Sequence, residues 1–199
     1  MESVTDTCYI KRIQAGETDC FAFLLERYSR SVHSLIVKIV GNREDAEELT
    51  QDVFLKVYRS LASFQGNSSF STWLYRIAYN TAVSATRKKK REWLAIEDGE
   101  MENVAEEDVS ESLEQISGEE QLARLEQALE QLLPDERALI LLFYMQEKTV
   151  EEIVSITGLT TSNVKTRLHR IRKKLFVLMK TMEENKDEKD RYEYESNRI

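Results

Sequence analysis

The chain has 199 residues, of which 41% are apolar and 32% charged, with 36 acidic against 28 basic side chains and a net charge of −8. That length holds one medium domain or two small ones, and the high charged fraction suits small helical domains with much surface. Six glycines and one proline are too few for a fold of strands and tight turns; two cysteines outside any CxxC pair give no disulfide framework; and no stretch approaches the ~18 apolar residues of a membrane span. The expectation is an all-α protein, reduced and cytoplasmic, with no signal segment at its start and no direct membrane insertion.

The first predicted helix runs from about Asp19 to Val40, where Leu24, Tyr28, Val32, Leu35, Ile36 and Ile39 form one stripe at helical spacing. Gly41 suits its C-terminal cap. Asn42 then caps a second helix whose first turn carries Glu44 and Asp45, favourable charges at a helix N-terminus. Ala46, Leu49, Val53, Val57 and Leu61 make its inner face. A polar loop, Gln65-Gly66-Asn67-Ser68-Ser69, precedes a third helix that Ser71 or Thr72 can cap. Trp73, Leu74, Ile77, Ala78 and Thr81 form its inner stripe, and its far end runs into Arg87-Lys88-Lys89-Lys90-Arg91.

Periodicity then fails. Between residues 92 and 120 every charged side chain is acidic, which predicts a flexible acidic linker. Helices resume near Glu120 with Leu122, Leu125, Leu129 and Leu132, and Pro134 opens another with Asp135 and Glu136 behind it. The domain expectation is therefore 1–91, a linker over 92–119, a second domain over 120–182, and a charged, frayed tail over 183–199.

The sharpest local signal lies at 149–175. Thr149-Val150-Glu151-Glu152 is a capping box, because the Thr hydroxyl and the Glu carboxylate can each satisfy a main-chain N–H of the first turn. The helix it opens ends before Gly158, a left-handed turn residue, and Thr160 or Thr161 starts the next at once. This is the helix-turn-helix pattern. Val164, Leu168, Ile171 and Leu175 turn inward, leaving Ser162, Lys165, Thr166, His169, Arg170 and Lys173 on the other face. Between 153 and 182 every charged side chain is Lys or Arg. Cations neutralise phosphates, and Lys, Ser, Thr or His can reach base edges from the major groove. The plainer reading is a basic surface helix of a bundle. His169 has no Cys or second His nearby to make a metal site.

The helix after the polar loop carries Tyr75, Arg76, Tyr79, Asn80 and Val83 on its polar side, with Arg87 two turns beyond Asn80. Aromatic rings stack on exposed bases, guanidinium groups hold phosphates and an amide can bond a base edge. Trp73 also suits the core, and Phe64 and Phe70 can simply anchor the loop ends. Asn80 in mid-helix costs stability without evident compensation, which favours a functional role.

Three stretches together carry a resemblance to the sigma-70 family, specifically its compact extracytoplasmic-function group. They are residues 42–54, beginning Asn42-Arg43-Glu44-Asp45-Ala46; residues 70–82, beginning Phe70-Ser71-Thr72-Trp73; and residues 149–175, with Val164-Lys165-Thr166-Arg167-Leu168-His169-Arg170 at their centre. The resemblance implies two helical domains joined by a linker, and a transcription-initiation factor without catalytic residues or cofactors. It implies that the acidic second helix, through Glu48, Gln51 and Asp52, docks on the beta-prime clamp helices of RNA polymerase, with the beta flap as a further contact. The plainer reading of those three is a solvated acidic face. Gln65, Gly66, Asn67, Ser68 and Ser69, with Trp73, Arg76, Asn80 and Arg87, would hold the melted minus-ten element. Ser162, Lys165, Thr166, His169, Arg170 and Lys173 would read the minus-35 element. Family members often carry Arg, Ser and an aromatic where this chain has Lys165, Thr166 and His169, which implies a different base preference. An anti-sigma partner is implied too. The acidic linker would mimic nucleic acid in a polymerase channel, or serve as a solubilising spacer.

Two other classes compete. A helix-turn-helix regulator that binds duplex operators without polymerase would need neither the acidic docking helix nor the loop and helix at 65–91. A nuclease would need a catalytic constellation, but His33 and His169 lie far apart and no phosphate-binding glycine loop or metal-ligand spacing appears.

Overall fold

The computed structural model describes residues 5–88 and 118–196, with side chains over 5–87 and 118–185. The linker expected from 92 thus lies outside the described residues up to 117, as do Lys89, Lys90 and Arg91. The described residues are helical with no strand. Helix α1 (Asp6–Gln14) and a short 3-10 turn (Thr18–Cys20) precede α2 (Phe21–Val40), α3 (Arg43–Ser60) and α4 (Phe70–Lys88). After the gap come α5 (Glu119–Gln131), α6 (Pro134–Tyr144), α7 (Val150–Thr157) and α8 (Thr161–Ser196).

The local chemistry of the helix ends accounts for most of these boundaries. Gly41 ends α2 in the left-handed region at φ 67°, and its N–H reaches the Val37 carbonyl. Asn42 caps α3 by accepting from the Asp45 N–H at 2.9 Å. Pro134 stands in the first turn of α6, where its missing N–H costs nothing. The capping box at α7 is complete: the Glu152 N–H donates to the Thr149 hydroxyl at 3.2 Å, and the Thr149 N–H to the Glu152 carboxylate at 3.0 Å. Gly158 closes α7 at φ 76°, and Thr160 opens α8 by accepting from the Asn163 N–H.

Four expectations need correction. A separate helix, α1, precedes the predicted first helix. It is only 9 residues long, too short for a clear stripe in sequence; Ile10 anchors it in the core, and Asp6 ties it to α2 by accepting from both Arg27 and the Tyr28 hydroxyl. The predicted start at Asp19 is a 3-10 turn, and the α-helix begins at Phe21. The cap of α4 is Ser69, not Ser71 or Thr72: its hydroxyl accepts from the Thr72 N–H at 3.1 Å, and its carbonyl from the Trp73 N–H. The frayed tail expected from Glu183 is instead a continuation of α8 through Ser196.

The apolar stripes of both halves join one core. Leu24, Val32, Leu35, Ile36 and Ile39 of α2 meet Val53 and Val57 of α3 and Leu74 and Ala78 of α4. The same cluster continues through Leu139 and Leu142 of α6, Ile153 and Ile156 of α7, and Val164, Leu168, Ile171 and Leu175 of α8. The two halves pack directly, α4 against α7 and α2 against α6. Burial of this many aliphatic side chains, each contributing roughly 1.5–3 kcal/mol, supplies the main drive to fold.

Candidate functional site

Helix α3 buries Ala46, Val53, Phe54 and Val57 and turns Glu48, Gln51 and Asp52 outward, all three exposed. Leu55, 51% exposed, follows them on the same face at i+3 and i+4, with Tyr58 beyond. The sequence reading passed over both. Leu55 interrupts an otherwise polar face, and that was its available signal. An acidic rim around a bare leucine and tyrosine is a protein-docking chemistry, since it presents apolar area together with charge.

The loop before α4 encloses an open hollow of about 370 Å³. Gln65, Gly66, Asn67, Ser68, Trp73 and Arg76 line it, together with Ser63, Phe64 and Thr72. Gly66 takes φ 73°, a left-handed turn that lets the loop fold back over α4. The loop's entry is fixed from a distance: the Gln14 side-chain amide donates to the carbonyls of Leu61 and Phe64 at 3.0 and 3.1 Å. Trp73 fits both of its readings. Its ring packs on Phe64 and Phe70, with centroids 5.0 and 6.0 Å away, yet it lines the hollow. Ser155 of α7 also lines the hollow, and no local pattern in the sequence announces it.

The remaining residues of this group are placed differently. Asn80 is exposed one turn below Arg76, and Arg87 is exposed two turns further on, so both share the face but not the hollow. Ser69 is taken up in capping α4 and bonds the hydroxyls of Ser71 and Thr72 at 3.1 and 2.8 Å. Tyr75, read from sequence with Tyr79 as a polar-side ring able to stack on bases, is buried at 4% exposure, its hydroxyl donating to the Gln146 side-chain amide oxygen. Val83 is buried as well. The second half of the molecule covers a stripe of α4 that a lone helix would leave wet. Burial pushes the Tyr75 phenol above its ordinary range. Burial also raises Tyr79, which stays half-buried.

On α8 the packing sorts the cations. Arg167 pairs with Asp135 at 3.0 Å, Arg172 donates to the Tyr144 hydroxyl at 2.8 Å, and the buried Lys174 reaches Glu136 at 3.0 Å. These three hold α8 to α6. Ser162, Lys165, Thr166 and Arg170 are exposed, while His169 and Lys173 are half-buried. The outward set falls at the start of the helix, the part that enters a major groove.

Comparison with known proteins follows the same division. Residues 24–92 match the family model for sigma-70 region 2, and residues 122–175 match that for sigma-70 region 4. The chain is 34% identical over 181 residues to the ECF RNA polymerase sigma factor SigW of Bacillus subtilis, spanning 83% of this chain and 92% of that one. It is 33% identical over 183 residues to the ECF RNA polymerase sigma-E factor of Escherichia coli K12, spanning 86% and 92%. Its fold matches CnrH, solved in complex with the cytosolic domain of CnrY, at TM-score 0.65 and 22% identity, over 88% of this chain and 97% of that one. It also matches the sigma factor RpoE of Bartonella quintana, solved with the anti-sigma factor NepR, at TM-score 0.60 and 23% identity, over 80% and 96%. Two family models in the right order, and relatives one-third identical along most of their length, establish that the chain belongs to the sigma-70 family, in its ECF group, and is an initiation factor that directs RNA polymerase to promoters.

Proposed function

We propose a division of this task among three surfaces. The outward face of α3, with Glu48, Gln51, Asp52 and the exposed Leu55, grips the beta-prime clamp helices of core polymerase. The loop hollow with Trp73 and Arg76, continued by Asn80 and Arg87, takes the melted minus-ten strand, a flipped base entering the hollow. The start of α8, with Ser162, Lys165, Thr166, His169, Arg170 and Lys173, reads the minus-35 element in the major groove. The observation that carries this reading is the segregation of charge among the three faces: Glu48 and Asp52 stand exposed on that of α3, whereas those of α4 and α8 expose Arg76, Arg87, Lys165 and Arg170.

The protein then works by binding alone. It holds two DNA elements and polymerase together, and polymerase performs the synthesis, so no side chain is assigned a catalytic role and no cofactor is needed. Its place of work is the cytoplasm, with polymerase; no described helix is long and apolar enough to cross a membrane. An apolar trough of about 400 Å³ between α5, α6 and α8, lined by Leu122, Leu125, Leu129, Ile140 and Tyr144, offers a seat for the beta flap. An anti-sigma partner is inferred as well, since CnrH and the Bartonella RpoE were each solved with a bound protein.

The test is retention by core polymerase followed by transcription from a promoter template. Wild-type protein should co-elute with core enzyme and set new start sites. A variant with Glu48, Gln51 and Asp52 all changed to Ala should lose co-elution while still folding. Retention of the triple variant by core enzyme would remove the α3 face from the polymerase contact.

A further inference from the structure

The loop before α4 is held at both ends, and its two anchors come from different parts of the chain. At its exit, the Ser69 hydroxyl accepts from the Thr72 N–H at 3.1 Å, and Phe70 is buried. At its entry stands Gln14, the last residue of α1. The Gln14 amide donates to the Leu61 carbonyl at 3.0 Å and to the Phe64 carbonyl at 3.1 Å, across the 3-10 turn Leu61–Ser63. Both acceptors are oxygens, so the amide nitrogen must face them, and both of its hydrogens are used. Helix α1 is itself firmly seated. Ile10 is buried in the core, Ile13 packs against it, and Asp6 accepts from Arg27 and Tyr28 of α2. Helix α1 precedes residues 24–92, the stretch that matches region 2.

Gln14 contributes little to keeping the chain folded. It is exposed, and the Leu61 carbonyl also accepts from the Phe64 N–H at 3.1 Å. Were the amide removed, water could take its place at both carbonyls. What water cannot supply is direction. The Phe64 carbonyl belongs to the peptide unit that leads into Gln65, and each residue has only two soft dihedrals through which that unit can turn. Its orientation therefore decides where Gln65, Gly66, Asn67 and Ser68 stand around the hollow. Phe64 lines the hollow too, with its ring centroid 5.0 Å from that of Trp73. A site whose supporting groups are left loose still binds, but it discriminates poorly.

We propose that Gln14 is a positioning residue for base recognition: through its amide, α1 holds the loop entry so that the hollow discriminates among the bases offered to it. The proposal rests on the assignment of the hollow to a base of the melted minus-ten strand. Gln14 touches no DNA itself and acts through Phe64 and the loop. Its role separates preference from grip. Phosphate contacts position a strand without reading it, and the cations assigned to them, Arg76 and Arg87, do not depend on Gln14. A chain without the amide therefore keeps the strand and loses the distinction between bases.

The test uses the full chain bound to core polymerase, as Gln14→Ala and as Gln14→Glu, which keeps the length but sets a carboxylate against the two carbonyls. Arg12→Ala, in the same helix but paired with Glu17, is the control. Single strands carrying the minus-ten element are bound first with an abasic site stepped along them, which finds the position that enters the hollow. Each of the four bases is then placed at that position. Wild type and Arg12→Ala should show a steep preference there. Both Gln14 variants should lower the ratio of best to worst base by about two- to tenfold, the net worth of one hydrogen bond. Preference elsewhere in the strand, duplex minus-35 binding and the urea midpoint should stay as in wild type. In the free chain, hydrogen exchange of the Phe64 amide, which is bonded to Leu61, should quicken in both variants. An unchanged base ratio would overturn the proposal, as would unchanged exchange at Phe64. An equal loss at every position, with a lowered urea midpoint, would overturn it too, since that is a fault of folding. A wild type without preference at any position would instead overturn the assignment of the hollow, and the role of Gln14 with it, even where exchange shows the loop loosened.

Discussion

Arg137 in α6 donates through Nη1 to the main-chain carbonyl of Lys38, near the end of α2, at 3.0 Å. The two residues are 99 apart in sequence and belong to different halves of the molecule. Its Nη2 donates to the carbonyls of Leu132, at 3.1 Å, and Glu130 at the end of α5. With 2% of its surface exposed, Arg137 satisfies helix-terminal carbonyls that would otherwise be buried without donors. It is an apolar-core position filled by a charge because three acceptors converge there.

Arg137→Met keeps the length and removes the donors. The expected outcome is a loss of ~1–3 kcal/mol in folding stability, the cost of leaving buried acceptors unmet, measured by urea unfolding. An unchanged midpoint would mean that the carbonyls find water, and that Arg137 is not what joins α2 to α6.

Asn80→Ala should weaken promoter melting and leave polymerase retention intact, because Asn80 is an exposed residue of α4 and not one of the α3 side chains assigned to docking. Permanganate footprinting of the minus-ten region gives the readout. Normal strand separation by the variant would remove Asn80 from the site.

Lys165→Ala should weaken binding to the upstream element by ~1–3 kcal/mol and relax its sequence preference if the ammonium contacts a base edge. A uniform loss across sequences, with a shallower salt dependence, would instead make Lys165 a phosphate contact.

Gly158→Ala isolates the backbone at the helix-turn-helix turn. A Cβ at this position meets nothing within 4 Å, so the cost is that of holding φ 76° with a side chain. About 1–2 kcal/mol of destabilisation is expected in thermal unfolding, together with weaker upstream-element binding from a shifted α8. A neutral result would show that the turn relaxes to negative φ freely.

Acid should loosen the junction between the halves. Burial opposes the charge on Glu152, but the Thr149 N–H, the Thr72 hydroxyl and Lys148 outweigh it and hold its carboxyl below the ordinary value of 4.5. Around it stand Lys148 and Thr149 from its own segment and Ser71 and Thr72 from α4. A lowered folded value means that the stabilisation is fully present above the ordinary value and is lost as pH falls through the folded one. The stability gap between wild type and Glu152→Gln should therefore be constant near neutrality and shrink below pH 4.5. A gap that persists in strong acid would show that the carboxylate's charge is not what matters.

The amino-acid order by itself determined the elements whose causes are local. Asn42, Pro134, Thr149 with Glu152, and Gly158 each fix a helix end through atoms within one turn, so their roles could be read directly. The inward stripes of α2 and α8 were equally plain, since 3.6-residue periodicity reports which face is dry. The candidate site was legible where it consists of one contiguous loop, 65–68, and one helix face. Only the tertiary structure decided what lies against what. A lone α4 presents Tyr75 to solvent, whereas the packed molecule buries it under Gln146. Nothing in the sequence around Lys174 shows that it is buried against Glu136, 38 residues away. Ser155 has no reason to belong to the hollow before α4 until α7 is laid on α4. Contacts between segments far apart in sequence leave no periodic trace in either one, and such contacts decide which faces of α4 and α8 are buried.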